Sequence, residues 1–188
     1  MILNKHQLFK VYCIIILAMI LCSEIYSQVQ SKKINYASYT IDTSILWPIK
    51  PKIYLVSLSI PVIKNGEFII GPCYQNWDWG DGRTHAYTLI LGYRHYIYNK
   101  TFLEVEFYPA YNNFHSTIDH KTYSGAELYM EGKIGYRYDF NIDNCNCFLS
   151  PSVGFGIGFF NANWPTKNID PFKGDFLFVP QLIWGVHF

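Results

Sequence analysis

Residues 175–188, DFLFVPQLIWGVHF, decide the fold predicted for this chain. Read with the two-residue period of a β-strand, one face of this stretch is apolar throughout. That face consists of Phe176, Phe178, Pro180, Leu182, Trp184, Val186 and Phe188. The other face carries Asp175, Gln181, Gly185 and His187 among further apolar residues. An aromatic-rich strand that ends the sequence without a polar tail is typical of a transmembrane strand that faces lipid.

Seven earlier segments alternate in the same way, which predicts an eight-stranded antiparallel sheet. They are residues 34–45, 53–63, 67–74, 85–98, 101–112, 126–140 and 147–160. The sixth is the clearest, because its apolar residues Leu128, Met130 and Ile134 alternate with charged ones. In a soluble sheet the face away from the core is polar, whereas here the uniformly apolar face is rich in Tyr, Phe and Leu. Apolar outside and polar inside is the pattern that lipid requires.

The connections between these segments alternate in length. Residues 64–66 contain Asn65-Gly66, a type I′ hairpin signal, and residues 99–100 and 141–146 are also predicted as turns. Residues 75–84, 113–125 and 161–174 are predicted as longer loops, and residues 46–50 break the first segment from the second. Short turns at one end and long loops at the other favour a barrel with both ends of the chain on the periplasmic side.

The beginning of the chain predicts export. Residues 1–27 contain Lys5 and Lys10, an uncharged apolar run over residues 11–22 and a polar exit, which together indicate a cleaved signal peptide. We place cleavage after Ser27, with Ser23 as the alternative; Leu21 before Cys22 argues against a lipoprotein. Residues 28–188 are then one barrel domain.

Composition agrees with a barrel and excludes some partners. Aromatic residues make up 19% of the chain, yet the mean hydropathy is only +0.04, so apolar and polar residues are interleaved. With a formal net charge of +1, nothing favours nucleic-acid binding.

The closing strand resembles that of the small outer-membrane β-barrel proteins of Gram-negative bacteria. Leu182, Trp184, Val186 and Phe188 match the alternating apolar residues and final aromatic of that family's assembly signal. The resemblance implies an up-and-down, eight-stranded transmembrane barrel, inserted by the barrel-assembly machinery and surrounded by outer-membrane lipid. We expect a monomer without a cofactor.

The predicted interior contains eight charged residues. They are Arg94, Glu104, Glu106, Glu127, Glu131, Lys133, Arg137 and Asp139. Because an eight-stranded barrel is just wide enough to be filled by side chains, these groups must neutralise one another rather than line a pore. A carboxylate pair that performs acid–base chemistry is the alternative.

The tryptophans support the proposed orientation. Trp47, Trp77, Trp79 and Trp164 all fall in connections assigned to the outside, where we expect an interfacial aromatic girdle.

Histidines, cysteines and aspartates give weaker indications of a catalytic or metal-binding site. His95 lies on the predicted lipid face, as in the His-x-Ser pair of lipid A deacylases, but Ile97 replaces the serine. His115 and His120 are expected in a solvated loop. Asp78 and Asp81 lack calcium-ligand spacing. Cys73, Cys145 and Cys147 are interpreted as reduced or incidentally bridged rather than as metal ligands.

Three functions stay open. The sequence favours a non-enzymatic barrel with a structural or surface-interaction role and no large pore. The second is a lipid-modifying enzyme of the outer membrane, which would need a histidine with a serine or carboxylate partner. The third is a secreted soluble barrel that binds a small apolar ligand.

Overall fold

A computed structural model describes residues 37–49, 52–79, 82–161 and 177–188, with backbone only for residues 79, 160 and 161. These residues form ten strands and no helix. They are β1 (Thr40–Ser44), β2 (Ile53–Leu55), β3 (Ser57–Ile63), β4 (Gly66–Trp79), β5 (Gly82–Tyr98), β6 (Thr101–Ser116), β7 (Thr122–Tyr136), β8 (Tyr138–Ile142), β9 (Cys145–Asn161) and β10 (Leu177–His187). The same residues contain no helix long and apolar enough to cross a membrane. The predicted signal peptide lies outside the described residues.

Eight of the strands form a closed antiparallel ring. Neighbours around it are β1, β3, β4, β5, β6, β7, β9 and β10, and β10 pairs with both β9 and β1. β2 pairs with β4 beside β3, and β8 pairs with β9 beside β7, so each continues a strand of the ring. The predicted all-β, antiparallel, eight-strand order is therefore confirmed. The first predicted segment is shorter in the structure, since β1 begins at Thr40.

Three tight turns lie at one end of the ring. Asn99 and Lys100 have φ values of 46° and 70°, and Asp143 and Asn144 have 43° and 70°, as type I′ hairpins require. The prediction for residues 65–66 was wrong in detail. Gly66 pairs with Ile63 and begins β4, so the turn consists of Lys64 and Asn65, and Asn65 takes the positive φ of 60°.

The hairpins at the opposite end are longer than predicted. Residues 75–84 and 113–125 were interpreted as loops, but β4 continues to Trp79 and β6 continues to Ser116. Cross-strand polar contacts extend the pairing, because Arg83 Nε lies 2.6 Å from Asp78 Oδ1 and Ser124 Oγ donates to Asn113 Oδ1 at 2.6 Å. Polar residues that signal a loop also suit a strand whose outer face meets water.

The two faces of the ring differ in polarity, as the alternation predicted. The outer face exposes large apolar side chains, among them Ile41, Val62, Leu89, Tyr93, Val105, Phe107, Ile134, Tyr136, Val153, Phe155, Phe178 and Trp184. The inner face buries Ser, Thr, Glu, Lys and Arg side chains together with an apolar cluster. The cluster consists of Trp47, Ile53, Leu55, Ile69, Cys73, Ile90, Tyr108, Phe148, Val179 and Ile183.

The tryptophan prediction was wrong for two residues. Trp47 is only 8% exposed, belongs to the interior cluster, and donates from Nε1 to the Pro180 carbonyl at 3.2 Å. Trp77 is partly buried against the same cluster. Trp77 faces inward because β4 is longer than predicted, whereas Trp47 lies in the connection after β1 and folds back over the end of the ring interior. Trp79 belongs to β4, and Trp164 lies outside the described residues.

Candidate functional site

The strongest concentration of polar chemistry is a network of ion pairs inside the ring. Strand alternation directs Arg94 of β5, Glu104 of β6 and Lys133 of β7 inward, and the register places Arg94 opposite Glu104 and Glu104 opposite Lys133. All three are 4% exposed or less. The side chains therefore meet where water cannot screen them.

Glu104 lies between the two cations. Its Oε2 is 2.5 Å from Arg94 Nε, and its Oε1 is 3.0 Å from Lys133 Nζ. This carboxylate thus joins the Arg94 side of the network to the Lys133 side.

The Lys133 side contains two further carboxylates. Lys133 Nζ contacts Glu106 and lies 3.3 Å from Glu131 Oε2, and it donates to Gln181 Oε1 at 2.9 Å. Tyr108 donates to Glu106, and its hydroxyl is 3.1 Å from Glu131 Oε2. Every polar tip in this group therefore has a polar partner.

Glu67 was not among the predicted interior residues, but it also belongs to the Arg94 side of the network. It is fully buried, with Oε2 3.4 Å from Arg94 Nη1 and Oε1 3.0 Å from Arg137 Nη1. Tyr96 also donates to Oε2 at 3.1 Å. The sequence feature that indicates an inward position for Glu67 is its alternation with inward-facing Ile69, just after the turn.

Aromatic rings complete the surroundings of the two arginines. The Arg94 guanidinium lies 4.7 Å from the centre of the Phe102 ring, and the Arg137 guanidinium lies 4.5 Å from that of Tyr96. Guanidinium groups pack on aromatic faces in this way because the ring carries negative charge density. The rings therefore cover the two guanidinium groups and shield them from water.

The remaining predicted residues lie at the margins of the network. Glu127 is half-buried and accepts a hydrogen bond from Asn112, apart from the other carboxylates. Asp139 lies near the tight turns, 2.7 Å from Lys100 Nζ, 3.4 Å from Arg137 Nε and 3.0 Å from His187 Nε2.

Asp42 is a second buried carboxylate that was not predicted, and with it the acidic residues in the interior outnumber the basic ones. It is 3% exposed and accepts hydrogen bonds from Ser57 and, at 3.5 Å, from Thr40. The buried carboxylates of the described ring are Asp42, Glu67, Glu104, Glu106 and Glu131, against Arg94, Lys133 and Arg137. The described residues contain no cluster of His, Cys, Asp and Glu that could hold a metal ion.

The other candidate residues are scattered. His95 Nδ1 lies 3.0 Å from the Tyr93 hydroxyl, and His115 Nδ1 lies 3.3 Å from Thr122 Oγ1. His115 therefore belongs to a strand rather than to the predicted loop, whereas His120 occupies the turn that follows, with φ of 56°. Asp78 forms ion pairs with Lys52 and Arg83, and Asp81 lies outside the described residues. Cys73, Cys145 and Cys147 are free thiols.

The outer surface carries a row of tyrosines that the sequence did not reveal. Tyr54, Tyr74, Tyr87 and Tyr111 are direct cross-strand partners on β2, β4, β5 and β6. Ring centroids are 6.4 Å apart for Tyr54 and Tyr74 and 5.4 Å apart for Tyr74 and Tyr87. Beyond the row, toward the long hairpins, the outward residues are polar, namely Asp78, Arg83, His85, Asn113, His115, Thr122 and Ser124.

No family model, curated protein or solved structure matches this chain. Its function is therefore inferred from the arrangement of its own residues.

Proposed function

We propose that this chain is an integral outer-membrane β-barrel of a Gram-negative bacterium, with a structural or surface-interaction role and no large pore. The observation that carries the proposal is the reversed polarity of the closed ring. Large apolar side chains cover its outer face, and paired charges fill its inner face. In water this arrangement would expose the apolar surface and bury the charges, whereas in a bilayer the outer face meets hydrocarbon.

The closed ring favours lipid for a second reason. An open sheet edge has unpaired backbone N–H and C=O groups, which are too costly to expose to hydrocarbon. In this ring β1 pairs with β10 from Thr40↔His187 to Ser44↔Ile183, so the seam is hydrogen-bonded. Lipid is therefore the partner that the outer surface fits.

The tyrosine row supports the position of the chain in the bilayer. Tyrosine is enriched at membrane interfaces, where its ring contacts acyl chains and its hydroxyl contacts water. On β5 the outward residues change at Tyr87, from His85 and Arg83 on one side to Leu89 and Leu91 on the other. We therefore place the long hairpins outside the cell and the tight turns in the periplasm, with the polar hairpin ends as the contact surface.

The ion-pair network has a structural role in this proposal. Each of its three cations contacts at least two carboxylates, and an apolar cluster also faces the interior. A buried ion pair is stable only when its partners remain together, so the network fixes the register of β4 to β7.

Fractionation of cells that express the full chain tests the proposal. We expect the protein in the outer membrane after an alkaline carbonate wash, and faster migration on electrophoresis when the sample is not heated. A soluble periplasmic or secreted protein would contradict the proposal and favour the soluble, ligand-binding alternative. A protein in the inner-membrane fraction would also contradict it.

A further inference from the structure

Three residues at the tight-turn end of the ring form a relay that the ion-pair network does not explain. Ser38 Oγ lies 2.8 Å from His187 Nδ1, and His187 Nε2 lies 3.0 Å from Asp139 Oδ1. Ser38 lies two residues before β1, His187 is the last residue of β10, and Asp139 belongs to β8. The closure of the ring therefore brings together residues that are far apart in sequence.

The hydrogen bonds of His187 determine which nitrogen can act as a base. A carboxylate accepts hydrogen bonds only, so Asp139 selects the tautomer with its proton on Nε2. Nδ1 then carries the lone pair, and the Ser38 hydroxyl donates to it. This is the arrangement of nucleophile, base and orienting acid that activates a serine, recognised by geometry rather than by sequence order.

Neighbouring cations hold Asp139 in place. Lys100 Nζ is 2.7 Å from Asp139 Oδ2, on the oxygen that does not face His187. Arg137 Nε is 3.4 Å from Asp139 Oδ1. Both cations favour the ionised carboxylate that the relay requires.

The relay is accessible, in contrast to the ion-pair network. The side chain of His187 is 16% exposed and that of Asp139 is 32% exposed, whereas Lys133 and Glu104 are almost completely buried. Ser38 is also partly exposed, so all three residues of the relay reach the protein surface.

We propose that Ser38, His187 and Asp139 form a hydrolytic triad for carboxylic esters. The Ser38 oxygen bonds to the ester carbonyl carbon while its proton passes to His187 Nδ1. Collapse of the tetrahedral adduct breaks the bond to the alkoxide, which leaves with that proton as an alcohol. Water then repeats the sequence on the acyl-serine, releasing a carboxylic acid and restoring the Ser38 hydroxyl.

Glu67 links the backbone of Ser38 to the interior of the ring. Its Oε1 accepts a hydrogen bond from the Ser38 N–H at 2.9 Å and lies 3.0 Å from Arg137 Nη1. Arg137 is therefore a positioning residue, which acts on the nucleophile through Glu67.

The surroundings favour an ester with a fatty acyl chain. Tyr39 and Phe188 follow Ser38 and His187 in sequence, and their rings are 6.2 Å apart on the outer face. They are 49% and 69% exposed, so an apolar surface adjoins the site. The activity does not depend on membrane insertion, and its failure would leave the proposed barrel function unaffected.

A serine-reactive fluorophosphonate probe tests the nucleophile directly. We expect the folded full-length protein to be labelled, with the adduct on Ser38 by peptide mass spectrometry. Ser38→Ala should abolish labelling and His187→Gln should reduce its rate at least 100-fold. Ser59→Ala is the matched control, because Ser59 is a fully buried inward serine whose hydroxyl has no hydrogen-bond partner among the described residues, and it should label normally.

Two further readouts separate catalysis from a structural role. Hydrolysis of p-nitrophenyl esters should be faster for decanoate than for acetate, and should disappear in Ser38→Ala. Labelling should slow as the pH falls and His187 takes up a proton; Asp139, Arg137 and Glu67 are the charged groups that face this imidazole. Absence of labelling in the folded wild type, labelling that His187→Gln does not slow, or a rate that is independent of pH would each overturn the triad.

Discussion

Gly185 and Phe148 lie directly opposite each other on β10 and β9, and the Phe148 ring occupies the space that a side chain on Gly185 would need. A Cβ atom at position 185 would lie 2.5 Å from two ring carbons of Phe148 and 2.7 Å from Asp42 Cβ. Phe102 likewise lies opposite Gly135 and occupies the space at that position, and the Tyr129 hydroxyl end occupies the space at Gly156. Inward glycines thus make room for large rings.

The first prediction concerns this packing. Gly185→Ala should destabilise the folded ring by about 1–3 kcal/mol, because the ring and Asp42 must move. Gly132→Ala is the control, since Gly132 faces outward and a Cβ atom there would meet nothing within 4 Å. Urea titration of the two proteins in lipid vesicles measures the difference, and equal midpoints would contradict the packing argument.

The second prediction concerns the buried ion pairs. Arg94→Ala should destabilise the protein by about 3–5 kcal/mol, because Glu67 and Glu104 lose a shared cation in a buried site. The measurement is the free energy of unfolding in detergent or vesicles.

The matched double variant tests the reason for that loss. Arg94→Ala with Glu104→Gln removes one of the two stranded charges, and Lys133 keeps Glu106 and Glu131. We expect part of the lost stability to return. A double variant that is less stable than Arg94→Ala would show that Glu104 matters mainly to Lys133.

Much of the ring could be predicted because apolar and polar residues alternate along each strand. With the apolar residues assigned to the outer face, Glu104 and Glu106 face inward on one predicted segment and Lys133 and Arg137 on the next. Counting residues back from the turn at Asn99 and Lys100 brings Arg94 close to Glu104 but would pair it with Val105. An irregularity between Tyr96 and Tyr98 shifts the register by one residue, so that Arg94 lies opposite Glu104.

Other features depend on contacts between distant strands and could not be found from local pattern. Trp47 follows β1 in the sequence, but the Pro180 carbonyl that accepts its indole N–H belongs to β10. Asp42 and Glu67 are single acidic residues in otherwise apolar or neutral segments, so their cationic and hydroxyl partners appear only when the ring closes. The hydrogen bond between Ser38 and His187 crosses the seam between the first and last strands of the ring, so the spacing of these two residues in the sequence does not indicate it.

A third prediction follows from the turn after β6. Asp119 accepts a hydrogen bond from the Tyr123 hydroxyl and others from Ser116 and the Lys121 backbone, which lowers the pKa of Asp119 to about 2 from an ordinary value of 3.8. Because the pKa is lowered by folding, the order that Asp119 gives this turn is complete above about pH 4 and is lost as the pH falls toward 2. An NMR titration of Lys121 and Tyr123 should show this midpoint, and Asp119→Asn should remove it. A midpoint near 4 in the wild type would contradict the hydrogen-bonded turn.

The fourth prediction concerns conduction. An eight-stranded barrel is just wide enough for side chains to fill, and ion pairs and an apolar cluster both face the interior of this ring. The purified protein should therefore show no steady, large conductance in planar bilayers. Arg94→Ala, compared with wild type at equal folded amounts, is the informative variant. A stable ion-selective current that Arg94→Ala alters without unfolding would show that these residues line a path, and transport would replace the structural role.

The last prediction separates a lipid-facing surface from one that faces water. Leu91 lies about midway along the apolar outer face of β5, whereas Tyr87 lies at its edge in the tyrosine row. A lysine at the midplane of a bilayer costs about 2–4 kcal/mol, falling to about 0–1 kcal/mol near the interface. Leu91→Lys should therefore destabilise the protein in vesicles strongly and Tyr87→Lys weakly, with Leu91→Met near wild type. On a surface exposed to water, a lysine at either position would change stability by less than about 0.5 kcal/mol. Equal, small effects of the two lysines in a refolding titration would therefore place this face in water and overturn the membrane proposal.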